Sequence, residues 1–133
     1  MTAIDASALV AFVLREEGWE VAEDVLRSAP SSLELLPLEA ANAILTARKR
    51  KRLTPAESND ALRTVHRICE RGVTLHPPTP LLPEAWQIAE KHGLTVYDAV
   101  YLALARRESV PLASGDTAQI RAARELSLRV IEV

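Results

Sequence analysis

Along the chain, short apolar runs alternate with longer stretches in which apolar positions recur every three or four residues. The short runs predict buried strands, and the longer stretches predict amphipathic helices. A first strand is expected over Thr2–Asp5, then a helix from Ser7 to about Arg15, after which Trp19, Ala22, Val25 and Leu26 recur at helical spacing. Leu33–Leu36 reads as a second strand, with Pro37 suited to the first turn of a helix from Leu38 to about Lys51. Another helix starts after Thr54-Pro55, and Val73–His76 predicts a third strand. Pro83–His92 is a helical pattern stopped by Gly93, and Val96–Arg107 is the next. Val110–Ser114 predicts a short buried strand, a helix to about Leu126 follows, and Arg129–Val133 predicts the last strand. Strands separated by helices argue for an α/β fold with a parallel sheet covered on both faces.

A chain of 133 residues suits one domain over residues 1–133. At 48% hydrophobic and 26% charged, the composition excludes a disordered chain. Only Phe12, Trp19, Trp86, Tyr97 and Tyr101 are aromatic, so aliphatic residues must build the core and a base-stacking platform is not expected. Cys69 stands alone, which excludes an intrachain disulfide and a thiolate-rich zinc site. No apolar run approaches the roughly 18 residues that span a bilayer, and Ala6–Leu14 lacks the flanks of a signal peptide. The expected location is the cytoplasm.

The formal net charge of −2 speaks against a polyanionic partner until its distribution is considered. Five of the sixteen basic residues form one block, Arg48-Lys49-Arg50-Lys51-Arg52. With four acids set aside in one site, the remaining formal charge would be +2. The block invites contact with RNA phosphates or an acidic partner, although cations also suit a helix C-terminus and a solvated face.

Four acids sit at comparable places in this pattern. Asp5 ends the first strand, Glu39 lies in a first helical turn after Pro37, Asp98 closes Thr95-Val96-Tyr97-Asp98, and Asp116 follows Ser114-Gly115. Singly, each is explained as a helix cap or a favourable charge at a helix N-terminus. Together they are expected along the carboxyl edge of a parallel sheet, where ligands bind. Carboxylates forced together repel unless a cation neutralises them, and an all-oxygen set suits Mg²⁺ or Mn²⁺. Such ions promote phosphodiester hydrolysis.

The segments Ile4-Asp5-Ala6-Ser7-Ala8-Leu9, Pro37-Leu38-Glu39-Ala40-Ala41-Asn42, Tyr97-Asp98-Ala99-Val100-Tyr101-Leu102-Ala103 and Pro111-Leu112-Ala113-Ser114-Gly115-Asp116 span nearly the whole chain. In this order they resemble the PIN-domain family, in particular its VapC-type toxin ribonucleases. The resemblance implies a three-layer sandwich, with a central parallel sheet of about five strands between helices. It implies Asp5, Glu39, Asp98 and Asp116 as metal-binding and catalytic acids, with Ser7, Asn42 and Ser114 as polar supports. It further implies Mg²⁺-dependent RNA cleavage, with Mn²⁺ as a possible substitute, inhibition by a cognate antitoxin, and a homodimer or larger assembly. Two departures stand out: Ser114-Gly115-Asp116 replaces the usual Thr-Ala-Asp, where glycine is expected to loosen the backbone, and Gln119 stands where some relatives carry another acid. The second departure leaves the number of metals open.

Two other readings remain: a PIN-like RNA-binding or scaffold protein with a silent site, and a phosphoacceptor receiver domain. The receiver reading lacks paired acids at the first strand and a late lysine. His66, His76 and His92 show no metal-ligand spacing and are expected on the surface or in loops, and Cys69 is expected to be buried. Trp19 and Trp86 are expected as core or interface anchors, Tyr101 is expected in the core, and Tyr97 is expected in the core with contact to substrate beside Asp98 as the alternative.

Overall fold

The computed structural model describes residues 1–133, in which five short strands form one sheet. They are β1 (Ala3–Ile4), β2 (Ser31–Leu33), β3 (Thr74–His76), β4 (Leu112–Ser114) and β5 (Val130–Glu132). All neighbours are parallel, and their spatial order is β3-β2-β1-β4-β5. The helices are α1 (Ala6–Val13), α2 (Trp19–Arg27), α3 (Leu36–Lys49), α4 (Pro55–Arg71), α5 (Leu82–His92), α6 (Val96–Glu108) and α7 (Thr117–Glu125). A 3₁₀ turn over Thr79–Leu81 leads into α5.

The strand order explains the layers. From β1 the chain steps outward through β2 to β3, then crosses back to β4 and steps the other way to β5. Parallel crossovers are right-handed, so reversing direction puts the later helices on the opposite face. The contacts follow this division: α1 packs with α2, α3 and α4, whereas α6 packs with α5 and α7. The result is a PIN-like α/β sandwich with helices on both faces. The reversal falls between β1 and β4, where the carboxyl ends of adjacent strands open a crevice.

Helix α6 lies against the centre of the sheet. Every residue from Ala99 to Ala105 is buried. Its small residues let the helix approach the strands, while Leu102 and Leu104 fill the space around them. Burying one such leucine contributes about 1.5–3 kcal/mol. Pro37 near the start of α3 and the capping box at α4, where Thr54 and Glu57 bond each other's backbone N–H, set the starts of those helices.

Several expected boundaries move. The second strand is Ser31–Leu33 rather than Leu33–Leu36, and Leu36 already belongs to α3. Two serines conceal this strand from an apolar pattern. Both are buried, and Ser32 Oγ donates to the Ile4 carbonyl at 2.6 Å. The last two strands are shorter than expected, and the first helix ends at Val13, with Arg15 in the left-handed region at φ 54°.

Candidate metal centre

Asp5 follows β1 directly and is only 1% exposed. It is the N-cap of α1: Oδ1 accepts the Ala8 N–H at 3.0 Å and the Ser7 hydroxyl at 2.6 Å. Oδ2 accepts the Ser114 hydroxyl from the end of β4. A carboxylate oxygen has two lone-pair sites, so Oδ1 is fully used and Oδ2 retains one. Burial pushes the Asp5 carboxyl up to about 6; the Ser114, Ser7 and Ala8 hydrogen bonds pull it down, and Asp116 raises it.

Ser7 and Ser114 also build the opposite rim. Ser7 Oγ accepts the Gly115 N–H at 2.8 Å, and Ser114 Oγ accepts the Asp116 N–H at 3.0 Å. The Ser114-Gly115-Asp116 turn is therefore tied down, contrary to the looseness expected of glycine. A Cβ at Gly115 would approach the Val133 carbonyl oxygen to 3.3 Å, tight packing that glycine relieves. Asp116 caps α7 by accepting the Gln119 N–H at 2.9 Å.

Glu39 and Asp98 come from opposite layers. Glu39 lies in the first turn of α3, half-buried, and accepts the Tyr101 hydroxyl at 2.6 Å. Burial raises its carboxyl above the usual range, the Tyr101 bond lowers it, and Asp98 and Asp5 raise it further. Asp98 is not the residue that caps α6: Thr95 does so, accepting the Asp98 N–H at 3.1 Å. Burial followed by Asp116 raises the Asp98 carboxyl, opposed by the Thr95 and Gln119 side chains.

The four acids thus share one electrostatic neighbourhood at the crevice between β1 and β4. No three His, Cys, Asp or Glu side chains, however, stand in a group able to hold a metal ion as they are placed. The donor chemistry fits a hard divalent cation, since carboxylates and hydroxyls supply only oxygen.

Asn42 stands apart from this set, exposed on α3 and without a hydrogen bond to any of the four acids. Tyr101 is a core residue, as expected, but its hydroxyl also anchors Glu39, a role that pattern reading missed. Its position three residues after Asp98, on the same helical face, was the available signal. Gln119 is 2% exposed and its Oε1 has no partner, leaving one buried acceptor beside Asp98.

The remaining expectations divide. Tyr97 is 67% exposed rather than core, and Trp86 is exposed, which removes the core half of its core-or-interface reading. The His92 side chain is buried, not superficial, with Nδ1 paired to Glu125 Oε2 at 2.6 Å. Cys69 is buried, and burial pushes its thiol up to about 11. No helix is long and apolar enough to cross a membrane.

Comparison with known proteins places this geometry in context. A family profile described as PIN domain matches residues 2–125. Ribonuclease VapC3 of Pyrobaculum aerophilum is 34% identical over 106 residues, covering 78% of this chain and 80% of the relative. The crystal structure of PAE2754 from Pyrobaculum aerophilum superposes with a TM-score of 0.66 at 27% identity, over 91% of this chain and 84% of the other. FitAcB from Neisseria gonorrhoeae has a TM-score of 0.61 at 18% identity, over 99% and 97%, a likeness of fold alone.

Proposed function

Because this chain belongs to the PIN-domain family and is homologous to VapC-type ribonucleases, we propose that it acts on RNA at the carboxyl edge of its sheet, hydrolysing a phosphodiester bond with a divalent cation. The observation that carries the proposal is the electrostatic coupling of acids drawn from four separate elements at one crevice. Caps alone give no reason for such convergence.

In this reading Asp5, Glu39, Asp98 and Asp116 hold the ion. Bound Mg²⁺, or Mn²⁺ in its place, supplies Lewis acidity for attack of water on phosphorus. Ser7 and Ser114 hold Asp5 so that its remaining lone pair on Oδ2 faces a fixed direction. Tyr101 orients Glu39, and the Gln119 side chain bonds Asp98. The VapC-type resemblance extends the proposal to a cytoplasmic toxin, a single domain over residues 1–133, restrained by an antitoxin and paired as a homodimer.

A second reading, a PIN-like RNA-binding or scaffold protein with a silent site, is favoured by the spacing of the acids. No three of them form a metal-holding group as placed. On geometry alone this reading stands ahead; the presence of all four acids and the ribonuclease relative support the first. RNA cleavage by the purified chain, with and without Mg²⁺, compared with Asp5→Asn, separates them. Metal-dependent cleavage lost in Asp5→Asn supports hydrolysis; tight RNA binding with no cleavage across varied RNAs and both metals supports the silent reading.

A further inference from the structure

Basic residues are divided unevenly between two parts of the molecule. Residues 48–71 contain eight Arg or Lys and three acids, a formal charge of +5; the rest contains eight and fifteen, −7. The basic segment is the end of α3, its turn and all of α4. Elsewhere cations are mostly engaged: Arg27, Arg106, Arg107, Arg121 and Arg124 each pair with a glutamate, and Arg15 stacks on Phe12 and Trp19. In the basic segment only Arg63 has an ion-pair partner, Asp60. Arg48, Lys49, Arg50, Lys51, Arg52, Arg67 and Arg71 are exposed and have none.

These charges occupy both ends of the hairpin. Arg63, Arg67 and Arg71 recur every four residues and so lie along one side of α4. The block lies at the other end of the hairpin, where α3 turns back. There the Arg50, Lys51 and Arg52 amides bond the Thr46, Arg48 and Ala47 carbonyls, and Lys51 takes φ 60°. The backbone of the turn is thus ordered while its side chains reach outward. Cations favour a helix C-terminus, but one or two satisfy that need. Five in a row repel one another, and no acid in the turn compensates.

We infer that the outer side of the α3–α4 hairpin is the docking surface for the phosphate backbone of the RNA, leading one strand from the hairpin turn toward Glu39. This inference rests on RNA being the ligand proposed above. A polyanion is repelled by the −7 charge of the remaining molecule, the acidic crevice included, so association requires this surface. Glu39 and Lys49 lie on the same helix about 15 Å apart along its axis, within reach of a short stretch of strand. Residues 48–71 contain no aromatic residue, so the surface grips phosphates and leaves base choice to other parts of the molecule.

The test compares two charge-matched variants. One carries Arg48→Gln, Arg50→Gln, Arg67→Gln and Arg71→Gln; the control carries Arg106→Gln, Arg107→Gln, Arg121→Gln and Arg124→Gln. Anisotropy of a fluorescein-labelled single-stranded RNA is titrated in EDTA at several salt concentrations, and cleavage is measured separately with Mg²⁺. The hairpin variant should bind more than about tenfold more weakly, with its log–log salt slope reduced by roughly 2–3, as expected for four lost contacts to a single strand. The control should retain its slope. Equal losses in both variants, unchanged binding by the hairpin variant, or no RNA binding by wild type would each overturn the inference. So would hairpin-dependent binding of polyglutamate with RNA binding intact, which would assign the surface to an acidic protein. The two proposals fail differently: hairpin-dependent RNA binding without cleavage removes only the hydrolytic reading, whereas cleavage abolished by Asp98→Asn but untouched in the hairpin variant removes only the docking surface.

Discussion

The acidic crevice and the α3–α4 hairpin concentrate opposite charges by opposite structural means. In the crevice Asp5 is enclosed, Glu39 and Asp98 are half-buried, and each is positioned by a hydroxyl or amide from another part of the chain. On the hairpin the cations are exposed and mostly unpaired, held only at their backbone. Desolvation therefore makes charge in the crevice costly and its geometry specific. On the hairpin water already solvates the charge, so position is loose and the cost in stability is small. Carboxylates that must converge on one ion need the first environment; a surface that tracks a flexible polyanion needs the second.

The most damaging way to break this contrast is at Asp98. Asp98→Asn removes charge from the crevice without removing the Thr95 cap, which bonds the backbone of residue 98. RNA cleavage should fall on the order of 10²–10³-fold, the size of losing one electrostatic partner in a transition state. The melting temperature without metal should stay the same or rise. Single-turnover cleavage and thermal unfolding in EDTA check the two halves.

Next in size is the pH dependence of stability. The folded Asp5 carboxyl titrates at about 6 against 3.8 in its ordinary state. Below about pH 4 both folded and unfolded chains hold the proton, and stability is highest. Between about 4 and 6 the unfolded chain releases the proton while the folded one keeps it, so stability falls as pH rises. Above this range the loss stays at a ceiling on the order of 3 kcal/mol. The Glu39 and Asp98 carboxyls, also raised, add slope of the same sign. Urea unfolding in EDTA across this range should show the decline, and Asp5→Asn should flatten it. A flat wild-type profile would mean that the crevice is solvated like the hairpin.

Tyr101→Phe sharpens the contrast by removing only the hydroxyl that holds Glu39. As a positioning change it should lower metal affinity or cleavage by about 10–100-fold. The Tyr101 bond lowers the Glu39 carboxyl, so its loss should move the acid limb of the pH–rate profile upward. A purely structural tyrosine would leave that limb in place.

The smallest effect belongs to the hairpin. Thr54→Ala breaks the capping box of α4 and should cost about 0.5–2 kcal/mol in urea unfolding. RNA cleavage by the folded protein should remain near wild type, because no side chain of the crevice contacts this cap.

The architecture was legible because burial imposes periodicity. The alternation of short apolar runs with helical spacing led to a five-stranded parallel sheet with little error beyond boundaries. It failed at Ser31 and Ser32, where buried hydroxyls imitate a loop while serving as strand. Asp5 and Asp116 were legible as caps because capping is local. Asp98 was legible only in part: Thr95 caps α6 as the Thr95–Asp98 spacing predicts, whereas the Gln119 side chain that also reaches the Asp98 carboxyl comes from another helix.

By itself the sequence determined which residues carry charge, where the chain turns, and the order in which four acids follow strands and open helices. Only the tertiary structure decided that Ser114 donates to Asp5 from 109 residues away and Tyr101 to Glu39 from 62. It also decided that Asn42 and Tyr97 face solvent while His92 and Gln119 are enclosed. The physical reason is range. Caps and periodicity act within a turn or two of one helix, whereas desolvation and Coulomb coupling depend on what the fold brings into the same volume.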